Sequence, residues 1–189
     1  DHRDLHSFPT RRSSDLPQSA IQSIVLTGGA NPLFGLNSLG GSLAIDMKDG
    51  FSFTGSSVEV SVGSFGRTIA NFQSGGNDGS IAWYGNLEYF GEDGWRDESE
   101  SDAINFYGSI GWKSEATRLN LNYQYGKSEL IGNGASPIEL LALDRKALFT
   151  GLDITENDMQ MLSFDYALTI SSNIDRKSTR LNSSHVLIS

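Results

Sequence analysis

The chain has 189 residues, with 14 Lys and Arg against 23 Asp and Glu, a net charge of −9 and no cysteine. The acidic balance argues against a nucleic-acid binder, which needs a basic face to neutralise phosphates, while the missing cysteines leave the cellular compartment open. No apolar run approaches the roughly 18 to 20 residues of a membrane helix, so any membrane crossing must be made by β-strands, the other solution that satisfies every backbone group in lipid.

The two ends stand apart from the rest of the sequence. Residues 6–16 and 175–185, back-translated, look like the adapter oligonucleotides of short-read sequencing read in one frame. Segments of that origin do not belong in fold reasoning, so residues 1–16 and 175–189 are expected to be non-native and residues 17–174 to be the protein. All three histidines, His2, His6 and His185, fall in the excluded ends. The remainder keeps eight Lys and Arg against 19 Asp and Glu, a charge of −11.

Residues 17–50 are rich in glycine, with Gly28, Gly29, Gly35, Gly40, Gly41 and Gly50, and so tolerate tight turns and close backbone approach. From about residue 57 the pattern changes to alternation, the signal of strands with two unlike faces. Val58, Val60 and Val62 alternate with Glu59, Ser61 and Gly63; Thr68, Ala70 and Phe72 alternate with Asn71 and Gln73. Three clearer segments follow. Ile81, Trp83, Leu87 and Tyr89 oppose Ala82, Tyr84, Asn86 and Glu88; Ile104, Phe106, Ile110 and Trp112 oppose Asn105, Tyr107 and Ser109; Leu119, Leu121, Tyr123 and Tyr125 oppose Arg118, Asn120, Asn122 and Gln124. Leu162, Phe164, Tyr166, Leu168 and Ile170 form a last apolar row against Ser163, Asp165 and Thr169. The clear segments run about ten residues, the length of a tilted transmembrane strand and longer than the usual five or six of soluble domains.

Short turns are predicted at 75–79 and 113–116, and longer connections at 91–102 and 128–158. Short turns at one end and long loops at the other are what bacterial outer-membrane barrels show. With the short turns in the periplasm, Trp83 and Trp112 fall near one rim and Tyr89, Phe90 and Tyr125 near the other, as two aromatic belts. The connection at 64–66 is short where that pattern asks for a long one. Within the long connection, Pro137 to Phe149 carries Ile138, Leu141 and Leu148 with a charged run from Asp144 to Lys146, predicting a short amphipathic helix over the barrel mouth.

The segment Ala20 to Ala30, with Pro32-Leu33-Phe34-Gly35 and then Leu39-Gly40-Gly41-Ser42-Leu43-Ala44-Ile45-Asp46-Met47-Lys48, resembles the end of the plug domain of TonB-dependent outer-membrane receptors. Gly63-Ser64-Phe65-Gly66-Arg67 and Glu92-Asp93-Gly94-Trp95-Arg96-Asp97 look like the first barrel strands and second outer loop of one subgroup. Thr27-Gly28-Gly29 departs from the family, which usually has a basic residue followed by Gly-Pro. The resemblance covers residues 20–170 and rests on these pieces in combination. It implies an all-β fold: about six strands, in residues 51–174, of a plugged transmembrane barrel of roughly 22 strands, preceded by the C-terminal part of a plug in residues 17–50. It further implies a receptor in the Gram-negative outer membrane for TonB-dependent active uptake of a scarce nutrient, by default a ferric siderophore. The partners implied are that ligand, outer-membrane lipid and the energy-coupling protein TonB, whose contact segment would lie outside this chain.

Under that resemblance Gly28, Gly29, Gly35, Gly40 and Gly41 are plug turn glycines. Asn86, Asn105, Asn120, Asn122 and Gln124 line the lumen as a polar wall able to hydrogen-bond a plug or water. Asp93, Trp95, Arg96 and Asp97 are candidate ligand contacts in an acidic outer loop, although such a charge run is more often a solvated loop that blocks aggregation. No calcium-loop spacing is present. No catalytic residue, cofactor or metal is expected: histidine and cysteine are missing from the native part, and there is no nucleophile elbow or phosphate loop. Two other architectures fit the alternation alone. One is a porin-like barrel, which has no use for the glycine-rich segment; the other is a soluble antiparallel sandwich used as a binding module.

Overall fold

A computed structural model describes residues 16–29, 41–132, 134–150, 153–168 and the strand 181–187. After a 3-10 turn, Gln18–Ala20, the first two strands, β1 (Ile21–Gly28) and β2 (Gly41–Met47), pair antiparallel as a separate two-stranded sheet. The second sheet is a seven-stranded antiparallel meander of β3 (Gly55–Val62), β4 (Thr68–Asn77), β5 (Ile81–Glu92), β6 (Ser101–Lys113), β7 (Thr117–Gly132), β8 (Asp153–Leu168) and β9 (Leu181–Leu187). Each strand pairs with its neighbour in sequence, and β3 and β9 are its edges, so the sheet is open. The chain is thus mostly antiparallel β-structure, and the six predicted strands of residues 57–170 are β3 to β8. Ile170 and Thr169 lie outside the described residues. The seventh strand lies in residues 175–189, expected to be non-native: the edge of β8 offers unpaired backbone groups, and such an edge accepts any extended segment within reach.

Alternation is kept through every strand from β4 to β7, and the register joins it into rows. Val58, Phe72, Leu87, Phe106 and Tyr125 are successive partners across five strands, and Trp83, Ile110, Leu121 and Phe164 form a second row on the same face. That apolar face is the exposed one: Trp83 is 51% exposed and Ile110 63%. The opposite face carries Asn71, Asn86, Asn105, Ser109 and Gln124, all buried, with Asn86 only 1% exposed. The distribution is the reverse of a soluble domain, where amides face water and Leu, Ile and Phe face the core.

What buries the polar face is the glycine-rich segment. Ala20 packs with Tyr84 and Tyr107 in the main buried cluster, with Met47 and Phe53 against it. Phe53 meets the Tyr84 ring edge-on at 5.5 Å between centroids. Close approach explains the glycines here: a Cβ on Gly50 would sit 2.3 Å from the Trp83 carbonyl oxygen, and one on Gly75 2.8 Å from that of Phe53. Gly75 and Gly76, predicted as turn residues, therefore belong to β4. Their missing side chains admit the covering segment on one face and the Trp83 ring, 3.4 Å from a Cβ on Gly76, on the other.

Other boundaries also differ from expectation. Both long connections are shorter than predicted because the ladder continues through polar residues, pairing Lys127 with Asp158 and Glu129 with Glu156. Strands β7 and β8 thus reach 16 residues each. Tyr125 pairs with Phe106 in mid-strand rather than lying at a rim, and Phe90, opposite buried Ala103, turns to the polar face. The predicted helix is confined to α1, Ile138–Leu143. Asp144 ends it by adopting an extended backbone and accepting the Lys146 amide on its carboxylate, 2.9 Å, a local bond that competes with the helix. The turn at Ser64–Gly66 is as short as the sequence indicated, with Phe65 and Gly66 both at positive φ.

Candidate functional site

The covering segment grips the sheet at two places. The first is centred on Ser19. Its hydroxyl accepts from the side-chain amides of Asn71 and, at 2.9 Å, Asn86, and lies 3.3 Å from Glu88 Oε2, to which it donates. Lys48 Nζ donates to the Ser19 carbonyl, 2.6 Å, and to Gln73 Oε1, 3.2 Å, which also accepts from the Tyr84 hydroxyl. Amides desolvated in this way are costly unless bonded, so Ser19 is what makes a buried Asn71–Asn86 pair tolerable.

The second grip is the turn at 49–53. Asp49 is buried; its Oδ1 accepts the backbone amides of Phe51, 3.0 Å, and Ser52, 2.8 Å, while its Oδ2 is ion-paired with Arg118 of β7. The Phe51 ring lies under two cations, with Lys113 Nζ 4.4 Å and the Arg118 guanidinium carbon 5.4 Å from its centroid. Asn77 donates to the Gly50 carbonyl, 2.7 Å.

Between these grips and β6–β8 lies a polar cavity of about 680 Å³, roofed by Gln22, Ser23, Asp46 and Met47 of the β1–β2 hairpin. Its wall includes Tyr107, Arg118, Asn120, Asn122, Gln124 and Asp165. A hydrogen-bonded chain crosses three strands there: the Tyr107 hydroxyl donates to Asn122 Oδ1, 3.2 Å, and Asn122 Nδ2 donates to Asp165 Oδ2, 3.1 Å. Such a surface suits a hydrated polar solute or water more than an apolar ligand. Among the described residues no group of three or more His, Cys, Asp or Glu is arranged to hold a metal ion.

The five lumen candidates share one face: Asn86, Asn105 and Gln124 are buried there, Asn86 against Ser19, and Asn120, Asn122 and Gln124 line the cavity. Of the plug glycines, Gly28 and Gly41 pair at the end of the β1–β2 hairpin, and Gly29 and Gly41 take positive φ. A Cβ on Gly41 would also strike the Thr27 carbonyl oxygen at 2.6 Å. Gly35 and Gly40 lie outside the described residues.

The loop candidates separate. Asp93, Trp95 and Asp97 are exposed, whereas Arg96 ties loop to loop, donating through Nη2 to Ser136 Oγ and to the Ala147 carbonyl, both 2.8 Å. The Asp97 amide donates to the Lys146 carbonyl, 3.3 Å. Loops 93–100 and 134–150 are therefore one docked unit at the end of the sheet opposite the short turns.

Sequence reasoning missed Ser19, Lys48, Asp49 and Phe51. The available signal was Lys48-Asp49, two charges beside a glycine, lying opposite Arg118 in a face otherwise lined with amides.

Among the described residues no helix is long and apolar enough to cross a membrane, which says nothing of crossing by strands. Compared with family models, curated proteins and solved structures, the chain matches none.

Proposed function

We propose that the chain is part of an outer-membrane receptor that takes up a scarce nutrient by TonB-dependent active transport, with residues 17–50 from the end of its plug and residues 51–174 from its barrel wall. The observation that carries this function is the inverted burial: apolar rows exposed on one face, amides buried beneath a separate segment on the other. Lipid makes the exposed rows stable, since an apolar surface this broad is not left in water by monomeric soluble proteins. A plug supports the amide face, as Ser19 and Lys48 do by bonding Asn71, Asn86 and Gln73.

Dimensions agree with this. The apolar stretch from Ile81 to Tyr89 covers roughly 26 Å along the strand at about 3.3 Å per residue, near the roughly 25 Å apolar band of outer-membrane barrels before tilt is allowed for. Trp83 and Trp112 fall at the end carrying the short turns, where a periplasmic aromatic girdle belongs. A porin-like barrel would have the apolar rows but no covering segment, and a sandwich would bury the apolar rows instead.

TonB coupling, the outer-membrane address and the default cargo, a ferric siderophore, come from the resemblance of the segments at 20–48, 63–67 and 92–97. The test uses the full-length protein in a Gram-negative host. Its folded form should migrate differently on a gel before and after boiling, and uptake of a panel of radiolabelled ferric siderophores, cobalamin and oligosaccharides should include one substrate whose entry requires TonB. A heat-modifiable protein that passes small solutes equally well without TonB would be a porin instead.

A further inference from the structure

We propose that the Asp49–Arg118 ion pair, clasped over Phe51, is a latch that holds the covering segment against the wall and keeps the polar cavity beneath the β1–β2 hairpin closed to the periplasm. The inference rests on the outer-membrane function proposed above and adds a device to it. Among the described residues this is the ion pair that joins the segment to the wall, linking positions 69 apart in sequence. It lies at the end of the sheet with the short turns: Arg118 is the second residue of β7 and pairs with Lys113, the last residue of β6. Both partners line the cavity, so releasing the pair unseats its rim.

Asp49 is committed on both carboxylate oxygens, one to its own turn and one to Arg118. Neutralising it therefore loosens the turn and its attachment together. Arg118 has a second hold through the Phe51 ring, shared with Lys113, so the ring is drawn to the wall by two cations while the carboxylate neutralises one of them. Other charges facing the cavity are Asp46 and Asp165; both are acidic and neither can replace Arg118 as a partner for Asp49.

The experiment uses the full-length receptor in outer membranes, with entry of a large antibiotic normally excluded by that membrane as the readout. Asp49→Asn and Arg118→Gln should each raise antibiotic entry by about ten-fold over the parent, the effect of a shift of about 1.4 kcal/mol toward an unlatched state. Arg118→Lys, which keeps a cation beside Asp49 and over Phe51, should hold entry near the parent level, which a purely local packing role would not require. Heat-modifiability of each variant reports whether the barrel itself has folded. Folded Asp49→Asn and Arg118→Gln variants with unchanged entry would overturn the latch, as would an Arg118→Lys variant that leaks as they do. A parent protein that is neither heat-modifiable nor in the outer membrane would instead overturn the function on which the latch rests.

Discussion

Asp78 closes the β4–β5 turn by accepting the amides of Ser80, 2.8 Å, and Ile81, 2.7 Å, on one carboxylate oxygen, with Gly79 at positive φ just before them. Those donors, Ile81 first and Ser80 next, hold its carboxyl below the usual carboxylate range. A depressed pKa adds stability above the unfolded value, and that stability disappears as the pH falls through the folded value. Asp78→Ala should therefore lower the melting temperature of the full-length protein at neutral pH, and the gap from the parent should close in acid below the ordinary carboxylate range. A gap that stays constant with pH would mean the carboxylate charge is not what closes the turn. Ser19 and Gly50 make two more single-residue cases. Ser19→Ala leaves the Asn86 amide buried without its partner and should cost about 1–3 kcal/mol in denaturant unfolding. Gly50→Ala drives a methyl into the Trp83 backbone, which cannot give way, and should cost about 1–3 kcal/mol by overpacking.

At the scale of elements, the strands were readable wherever one face stayed apolar. The period of two in Ile81–Tyr89, Ile104–Trp112 and Leu119–Tyr125 placed every one of those side chains on its observed face. Legibility failed where alternation loses its contrast. Beyond Lys127 the alternation breaks: Leu130 and Ile131 are adjacent and so point to opposite faces among polar neighbours, and the continuing ladder from Ser128 to Gly132 against Asp153 to Asn157 carries no period-two signal. Gly75 and Gly76 carried a turn signal that packing overrode, because the covering segment and Trp83 need their missing side chains. The amide row of the site was visible, yet its partners were not, since nothing in a one-dimensional pattern brings Ser19 to Asn86 or Asp49 to Arg118. Depth within the strands gives a sharper test of the proposed setting. Arg at Leu87 or Leu121, in the middle of the apolar rows, should cost roughly 2–4 kcal/mol in vesicle-based unfolding, whereas Arg at Asp158, beyond the rows, should cost about 0–1 kcal/mol. Equal costs at the two depths would contradict a lipid-facing surface.

For the whole molecule, two open edges and an exposed apolar face dominate behaviour. Strand β3 is exposed along its full length, including Val58, Val60 and Val62, and unpaired edges of this kind recruit other chains. The isolated chain is therefore expected to associate in aqueous buffer and to become monodisperse only in detergent, as read by size-exclusion chromatography with light scattering. A stable monomer in plain buffer would show that the apolar rows are covered by something within the chain. The fold is otherwise built outside-in: its core is a contact between a small glycine-rich segment and a polar wall, with Tyr84 and Tyr107 at the centre.

The most direct measurement is depth-resolved quenching in the full-length protein reconstituted into vesicles containing brominated lipid. A fluorophore attached at Leu87, Phe106 or Leu121 should be strongly quenched, while one at Asn120 or Asn122 on the opposite face should be unaffected. Quenching confined to the asparagine positions, or lost at all five, would contradict an apolar face turned toward hydrocarbon.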